Sequence, residues 1–169
     1  NAAVTDSFNA LVTDGCMSTN DTVILMASGA AGRTSPSDLA AAVASACADL
    51  AVQMADDAEG ATKVVKLTVR GAASNRDART GARQVASSAL CKCSWYGQDP
   101  YWGRIASELG SAGIAFEQDQ LSVSYGGTVV AARGINVDTD AVAVSGHMAG
   151  RRLAPVCALG SRPVTGAVP

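Results

Sequence analysis

A chain of 169 residues, 48% of them hydrophobic, can bury a core of its own, which excludes an intrinsically disordered segment. Thirteen basic residues against fifteen acidic ones leave a net charge of -2, and no basic run exceeds Arg151-Arg152, so nothing marks a nucleic-acid or anionic-membrane binder. Aromatics are only 4% while alanine and glycine abound, which favours closely approaching helices and strands over a core of large rings.

The chain opens on Asn1, which reads as a chain processed, trimmed or cut from something larger. "DGCMSTNDT", Asp14 to Thr22, crowds hydroxyls, an amide and acids together. Such groups cost free energy wherever they are buried unpaired, so this is either an exposed turn or the polar lining of a site at the mouth of a sheet. Thr22 to Ala27 is apolar, β-favouring and followed by a glycine, and predicts a buried strand. Gly29-Ala30-Ala31-Gly32 reads as a plain strand-to-helix turn, because the phosphate-loop pattern is incomplete and no G-K-[ST] follows. Ser35 as cap, Pro36 in the first turn and Asp38 three after the cap then start a helix. Its apolar stripe is Leu39, Val43, Cys47, Leu50 and Met54, and it runs to about Ala55. With Asp49 and Gln53 inside it, the stretch is expected to be too short and too polar to span a bilayer.

"ADDAEGATK" sets Asp56, Asp57 and Glu59 between a helix end and a strand start, where the helix dipole opposes acids. A carboxylate beside a glycine at such a junction can hold a ligand's ammonium group; the alternative is a solvated acidic loop. In "TKVVKLTVRG", Val65, Leu67 and Val69 point one way and Lys66, Thr68 and Arg70 the other, as in a strand with one wet face. Ser74 caps the next helix with Asp77 three residues on, and Ala78, Ala82, Val85 and Ala89 mark a narrow face that should pack closely.

"LCKCSW" is read as a short strand, with Cys91 and Cys93 on opposite faces. A zinc site needs about four ligands, and the only histidine, His147, is distant in sequence and is taken as a surface or loop residue. An odd count of five cysteines, with no signal-peptide pattern, points to reduced cytosolic thiols. Asp99-Pro100 starts a third helix with Trp102, Ile105 and Leu109 as its stripe and Gly110 as its stop. Near its start, Arg104 can clamp a carboxylate bidentately, while Trp102 reads as a structural anchor ahead of a ligand contact. Ile114 to Arg133 reads as strands, with "YGGT" a two-residue hairpin. Beyond about Asp140 the periodicity fades, and "GSRPVTGAVP" looks loose. Helices alternate with strands and then give way to a hairpin, so the fold class is α/β with a mixed sheet.

The blocks "DGCMSTNDTVILMASGAAG", "EGATKVVKLTVRGAAS" and "GQDPYWGRIASELGSAG", in that order, closely resemble successive segments of the ornithine acetyltransferase family, the bifunctional glutamate N-acetyltransferases of arginine biosynthesis. The likeness begins near Phe8 and makes 1–134 the matched part of a single region, 1–169, with 135–169 a weakly matched tail. It implies the family's N-terminal-nucleophile-like fold, a mixed sheet layered with helices, and specifically the β-chain portion.

The family's precursor cuts itself into α and β chains, exposing a threonine that takes acetyl from N2-acetyl-L-ornithine and passes it to L-glutamate. A hydroxyl activated by its own free amine forms such an ester without a metal or cofactor, so none is expected. The implied partners are the α chain of the same precursor and the two substrates, in a cytoplasmic α2β2 assembly with neither nucleic acid nor membrane. Asn1 has no hydroxyl, so the nucleophile is expected upstream, no catalytic residue is expected in this chain, and the chain alone is expected to be inactive. The family's closing motif with an asparagine and a threonine is not found before Pro169. The one substrate contact that carries over is Glu59, which matches the glutamate that binds the substrate's charged amine. By the same likeness, Asp14, Ser18, Thr19, Asn20 and Asp21 are expected to form a hydrogen-bonded polar turn packed near the site. The rival readings are an inactive remnant serving as a binding or assembly module, and a relative acting on other amines in secondary metabolism.

Overall fold

In the computed structural model, residues 2–160 and 164–168 are described. A short helix α1 (Ala2–Thr5) and a 3-10 turn (Phe8–Ala10) precede α2 (Pro36–Asp56), β1 (Val64–Val65), β2 (Leu67–Arg70), α3 (Asn75–Ser87), α4 (Ala89–Tyr96) and α5 (Gly103–Ser111). There follow β3 (Ser122–Tyr125), β4 (Thr128–Ala132), β5 (Ile135–Asn136), α6 (Ala141–Ala149), β6 (Arg152–Leu153), β7 (Pro155–Ala158) and β8 (Thr165–Val168). Six strands form one sheet in the order β5-β4-β3-β7-β2-β8, and β1 pairs with β6 separately. The pairs β2·β7 and β1·β6 are parallel and the rest antiparallel, so the sheet is mixed as expected.

The core forms where the strand alternation meets a helix of small residues. Leu67 and Val69 of β2 are buried, Thr68 is half-buried and Arg70 is exposed. Burying side chains of that size stabilises by about 1.5–3 kcal/mol each. Ser74 accepts a hydrogen bond from the Asp77 amide at 3.1 Å and starts α3, whose Ala78, Gly81, Ala82 and Val85 are buried. A methyl group at Gly81 would lie 2.9 Å from Ile114 Cδ1, 3.1 Å from Leu109 Cδ2 and 4.0 Å from Val69 Cγ1. The small face therefore lets α3 fit between β2 and α5. Ala89 does not belong to that face: it is exposed and opens α4.

Several expectations are corrected. "LCKCSW" is helical, because Ser88 turns extended after α3 and its hydroxyl accepts from the Cys91 amide at 3.2 Å, starting a new helix. C-K-C alone is too short to separate the two periods, and on either backbone the cysteines diverge: Cys91 is buried and Cys93 exposed. α5 passes through Gly110 and stops only before Gly113, which takes the left-handed backbone at φ +68. The hairpin stands where predicted, with Gly126 and Gly127 both at positive φ as a two-residue turn of this hand requires. Ahead of it, however, 114–121 contains a 3-10 turn and no strand.

The segment beyond Asp140 is far from patternless. Asp140 accepts from the amides of Val142 (3.0 Å) and Ala143 (2.9 Å) to cap α6, and β7 sits between β3 and β2 near the sheet's middle. Within the tail, 165–168 form β8 on β2, while 161–163 and 169 lie outside the described residues.

The predicted strand from Thr22 to Ala27 is absent. The segment carries no ladder among the described residues and is exposed, Ile24 to 72% and Met26 to 87%. α2 begins as expected, with Ser35 accepting from Asp38 at 3.1 Å, yet only Cys47 and Ala51 are buried and Leu39, Leu50 and Met54 face outward. With 21 residues it is long and apolar enough to cross a membrane by length and composition alone, so the expected exclusion on those grounds falls. Asp49 inside it would still cost about 3 kcal/mol at the centre of a bilayer.

Candidate functional site

A cavity of about 390 Å³ lies where the end of α2, the loop 57–63, β1 and α4 converge, roofed by Leu11, Val12 and Thr13. Glu59 stands on its wall. The Ala61 amide donates to the Ala58 carbonyl at 3.0 Å, closing a turn with Glu59 and Gly60 at its corner. Gly60 has φ +67, which is what a residue at that turn position needs if Glu59 keeps an ordinary backbone. The sequence E-G thus fixes where the carboxylate points from. Glu59 is exposed and has neither a hydrogen bond nor an ion pair among the described residues.

The neighbouring charges are held elsewhere. The Asp56 carboxylate receives the guanidinium of Arg152, and Arg151 donates to the carbonyl oxygens of Asp56 and, at 2.8 Å, Ala61. Those arginines offset the unfavourable dipole at the end of α2 that an acid there would feel. Lys63 reaches away to the end of α6, donating from Nζ to the carbonyls of Met148 (2.7 Å), Ala149 (3.3 Å) and Gly150 (2.7 Å). Its three N–H groups are spent on orphan helix carbonyls. Lys92 of α4, half-buried, donates to the Thr13 carbonyl and ties the roof to the helix. Nothing in the sequence spacing signals these links, since each joins residues distant along the chain.

The other candidate residues are placed as follows. Arg104 donates to the Leu90 carbonyl (3.0 Å) and Ser94 Oγ (2.9 Å), and Trp102 Nε1 to Asn136 Oδ1, so both act as anchors. His147 is not in a loop: it lies half-buried on α6 and its Nε2 accepts from the Ala154 amide at 3.0 Å. In the polar turn, Asp14 accepts from the Cys16 amide (2.8 Å), Ser18 Oγ from the amides of Asn20 (3.3 Å) and Asp21 (2.9 Å), and Thr19 donates to Asn20 Oδ1 (3.3 Å). The turn is hydrogen-bonded as expected, and its residues are exposed, one position along the chain from Thr13 on the cavity wall. Local Asx and Ser turns satisfy these groups without burial.

Burial pushes the Cys157 thiol up to about 12 and also raises Cys91, with a hydrogen bond to Ser88 working the other way. The Tyr125 hydroxyl is raised for the same reason. These are neutral core groups near pH 7 and not nucleophiles. Among the described residues, no three His, Cys, Asp or Glu side chains gather to hold a metal.

Comparison with known proteins bears on this geometry. The sequence matches the ArgJ family over residues 1–166. It is 46% identical over 145 residues to the Arginine biosynthesis bifunctional protein ArgJ of Thermobifida fusca, covering 85% of this chain and 38% of that protein. It is 48% identical over 134 residues to the protein of the same name from Mycobacterium leprae, covering 79% of this chain and 33% of that one. The chain therefore spans between 33% and 38% of the length of these curated relatives. A crystal structure of Arginine biosynthesis bifunctional protein argJ from Bacillus halodurans superposes with a TM-score of 0.92 at 31% identity, over 99% of this chain and 82% of that one. The expected family architecture is thus the observed one.

Proposed function

The chain belongs to the ArgJ family of arginine biosynthesis, and from that premise we propose that it is the core of the β chain of an acetyltransferase that moves acetyl from N2-acetyl-L-ornithine to L-glutamate. The observation that carries this reading is Glu59: an unpaired carboxylate, presented by a glycine turn on the wall of a cavity, where an ammonium group can be held. Ornithine derivatives carry such an ammonium at the end of a three-carbon arm that suits an apolar-walled cavity.

On this reading the nucleophile is the family's threonine, a role assigned to none of the residues described above. Its hydroxyl oxygen attacks the acetyl carbonyl while its amine takes the proton; the amide C–N bond breaks and ornithine leaves with that proton. The glutamate amine then attacks the threonine ester, the ester C–O bond breaks, and the hydroxyl is restored. Hydrogen-bond donors from the α chain would stabilise both tetrahedral oxyanions. Glu59 acts by binding and orientation, placing the acetyl group beside the hydroxyl. The α chain would also cover the exposed 22–27 segment and the outer stripe of α2, in a cytoplasmic α2β2 enzyme.

The test is Glu59→Gln in the complete αβ enzyme. Losing one charge-assisted contact to the substrate should raise its KM about tenfold, with kcat changed less than about threefold. Unchanged kinetics would remove Glu59 from the site, and a native enzyme that never gains acetyl mass from N-acetylornithine would remove the activity itself.

A further inference from the structure

We propose that Lys92 is the group that binds the carboxylate of the amino-acid substrate, so that Glu59 and Lys92 together read the two opposite charges of one molecule. The proposal rests on the reading of the cavity as the substrate site and adds a specificity residue to it.

The cavity is lined by three ionisable side chains of full charge, Glu59, Lys63 and Lys92. Lys63 is committed, with its three N–H groups directed at the carbonyls of Met148, Ala149 and Gly150. Lys92 is not: its one partner among the described residues is the Thr13 carbonyl, which leaves two N–H donors. Glu59 has no partner among the described residues, and it does not pair with Lys92 although both line the same space. Two opposite charges that share a cavity without neutralising each other are complementary to a ligand carrying both signs. The hydrogen bond to Thr13 limits where Nζ can go, so less freedom is lost when the carboxylate arrives. Between the charges the lining is largely small and apolar, with Ala58, Ala61 and Val65 against a methylene arm.

Replacing Lys92 by glutamine should therefore damage recognition of the carboxylate and leave recognition of the amine. In the complete αβ enzyme, equilibrium binding would be compared for L-ornithine and for putrescine, which keeps both amines and lacks the carboxylate. Wild type should prefer L-ornithine by about tenfold or more, Lys92→Gln should reduce that preference to within about twofold, and Lys92→Arg should restore most of it. A variant that loses both ligands equally assigns Lys92 a purely structural role through Thr13 and overturns the proposal, as does one that keeps the wild-type preference. Glu59→Gln separates the two ideas. If it leaves both ligands' binding untouched, the cavity reading itself fails; if it weakens both while Lys92→Gln leaves the preference intact, only the role of Lys92 fails.

Discussion

Lys63 and Gly150 are 87 residues apart in sequence and are joined by a 2.7 Å hydrogen bond from Nζ to the carbonyl oxygen. The same ammonium takes the carbonyls of Met148 and Ala149, so a single lysine at the mouth of β1 closes the C-terminal end of α6. Val64, next after Lys63, and Arg152, two residues beyond Gly150, are already paired in the short parallel ladder of β1 and β6. Lys63→Met should leave those carbonyls without their charged donor and cost about 1.5–3 kcal/mol. Calorimetry should show a lower Tm, by several degrees at about 2–4 °C per kcal/mol for a protein of this size, and Lys63→Arg should recover part of the loss.

Gly71 and Gly110 test backbone constraint in opposite directions. Gly71 has φ +72, and a methyl group there would lie 2.2 Å from the Gly160 carbonyl oxygen, with backbone on both sides of the clash. Gly71→Ala should destabilise by roughly 3 kcal/mol or more, because strain and overlap act together. Gly110 is helical and has nothing within 4 Å of the added methyl. Gly110→Ala should stabilise by about 0.5–1 kcal/mol through helix propensity. Urea midpoints for the two variants should move in opposite directions.

The parts of the fold legible in the sequence were those fixed by local chemistry. Ser35 with Asp38, Ser74 with Asp77, and Gly126-Gly127 each specify a cap or turn within four residues, and each stands where it was expected. What failed depends on distant partners. Pro155 to Ala158 is too short and too small-chained to show a period, yet it lies between β3 and β2 because those strands supply its hydrogen bonds. Thr22 to Ala27 shows the converse, a strong strand pattern with no neighbour among the described residues to pair with it. The candidate site divides in the same way. Glu59 was visible beside Gly60, whereas Lys92 sits on a helix that the sequence suggested was a strand, and its partner Thr13 lies in another part of the chain.

Alkaline pH should weaken the fold through its buried acids. The Cys157 thiol moves from 9.0 up to about 12 because burial disfavours the thiolate. The unfolded chain releases that proton first, so the stabilisation is complete below about pH 9 and is lost as pH rises towards about 12, at roughly 1.4 kcal/mol per unit for each such group. Tyr125 and Cys91 shift in the same direction and steepen the loss. Urea midpoints between pH 8 and pH 11 should fall progressively. Cys157→Ala should start lower, from the small void it leaves, and decline less steeply; an equal slope would assign the alkaline loss to other groups.

The exposed run Val23 to Met26 predicts how the proposed α chain meets this one. Consecutive side chains of this segment are open, Ile24 at 72% and Leu25 at 69%, and no polar residue interrupts the run Val23 to Met26. A strand that the α chain covers on one face would tolerate a charge at either Ile24 or Leu25. A strand inserted between layers would tolerate neither, since successive side chains point to opposite faces and an unpaired buried carboxylate is costly on both. Ile24→Asp and Leu25→Asp, each made in the complete precursor, should both reduce the α chain recovered with β on size-exclusion chromatography by severalfold. Loss with only one of the two would place the segment at a one-sided interface, and loss with neither would leave this apolar run outside the contact with the α chain.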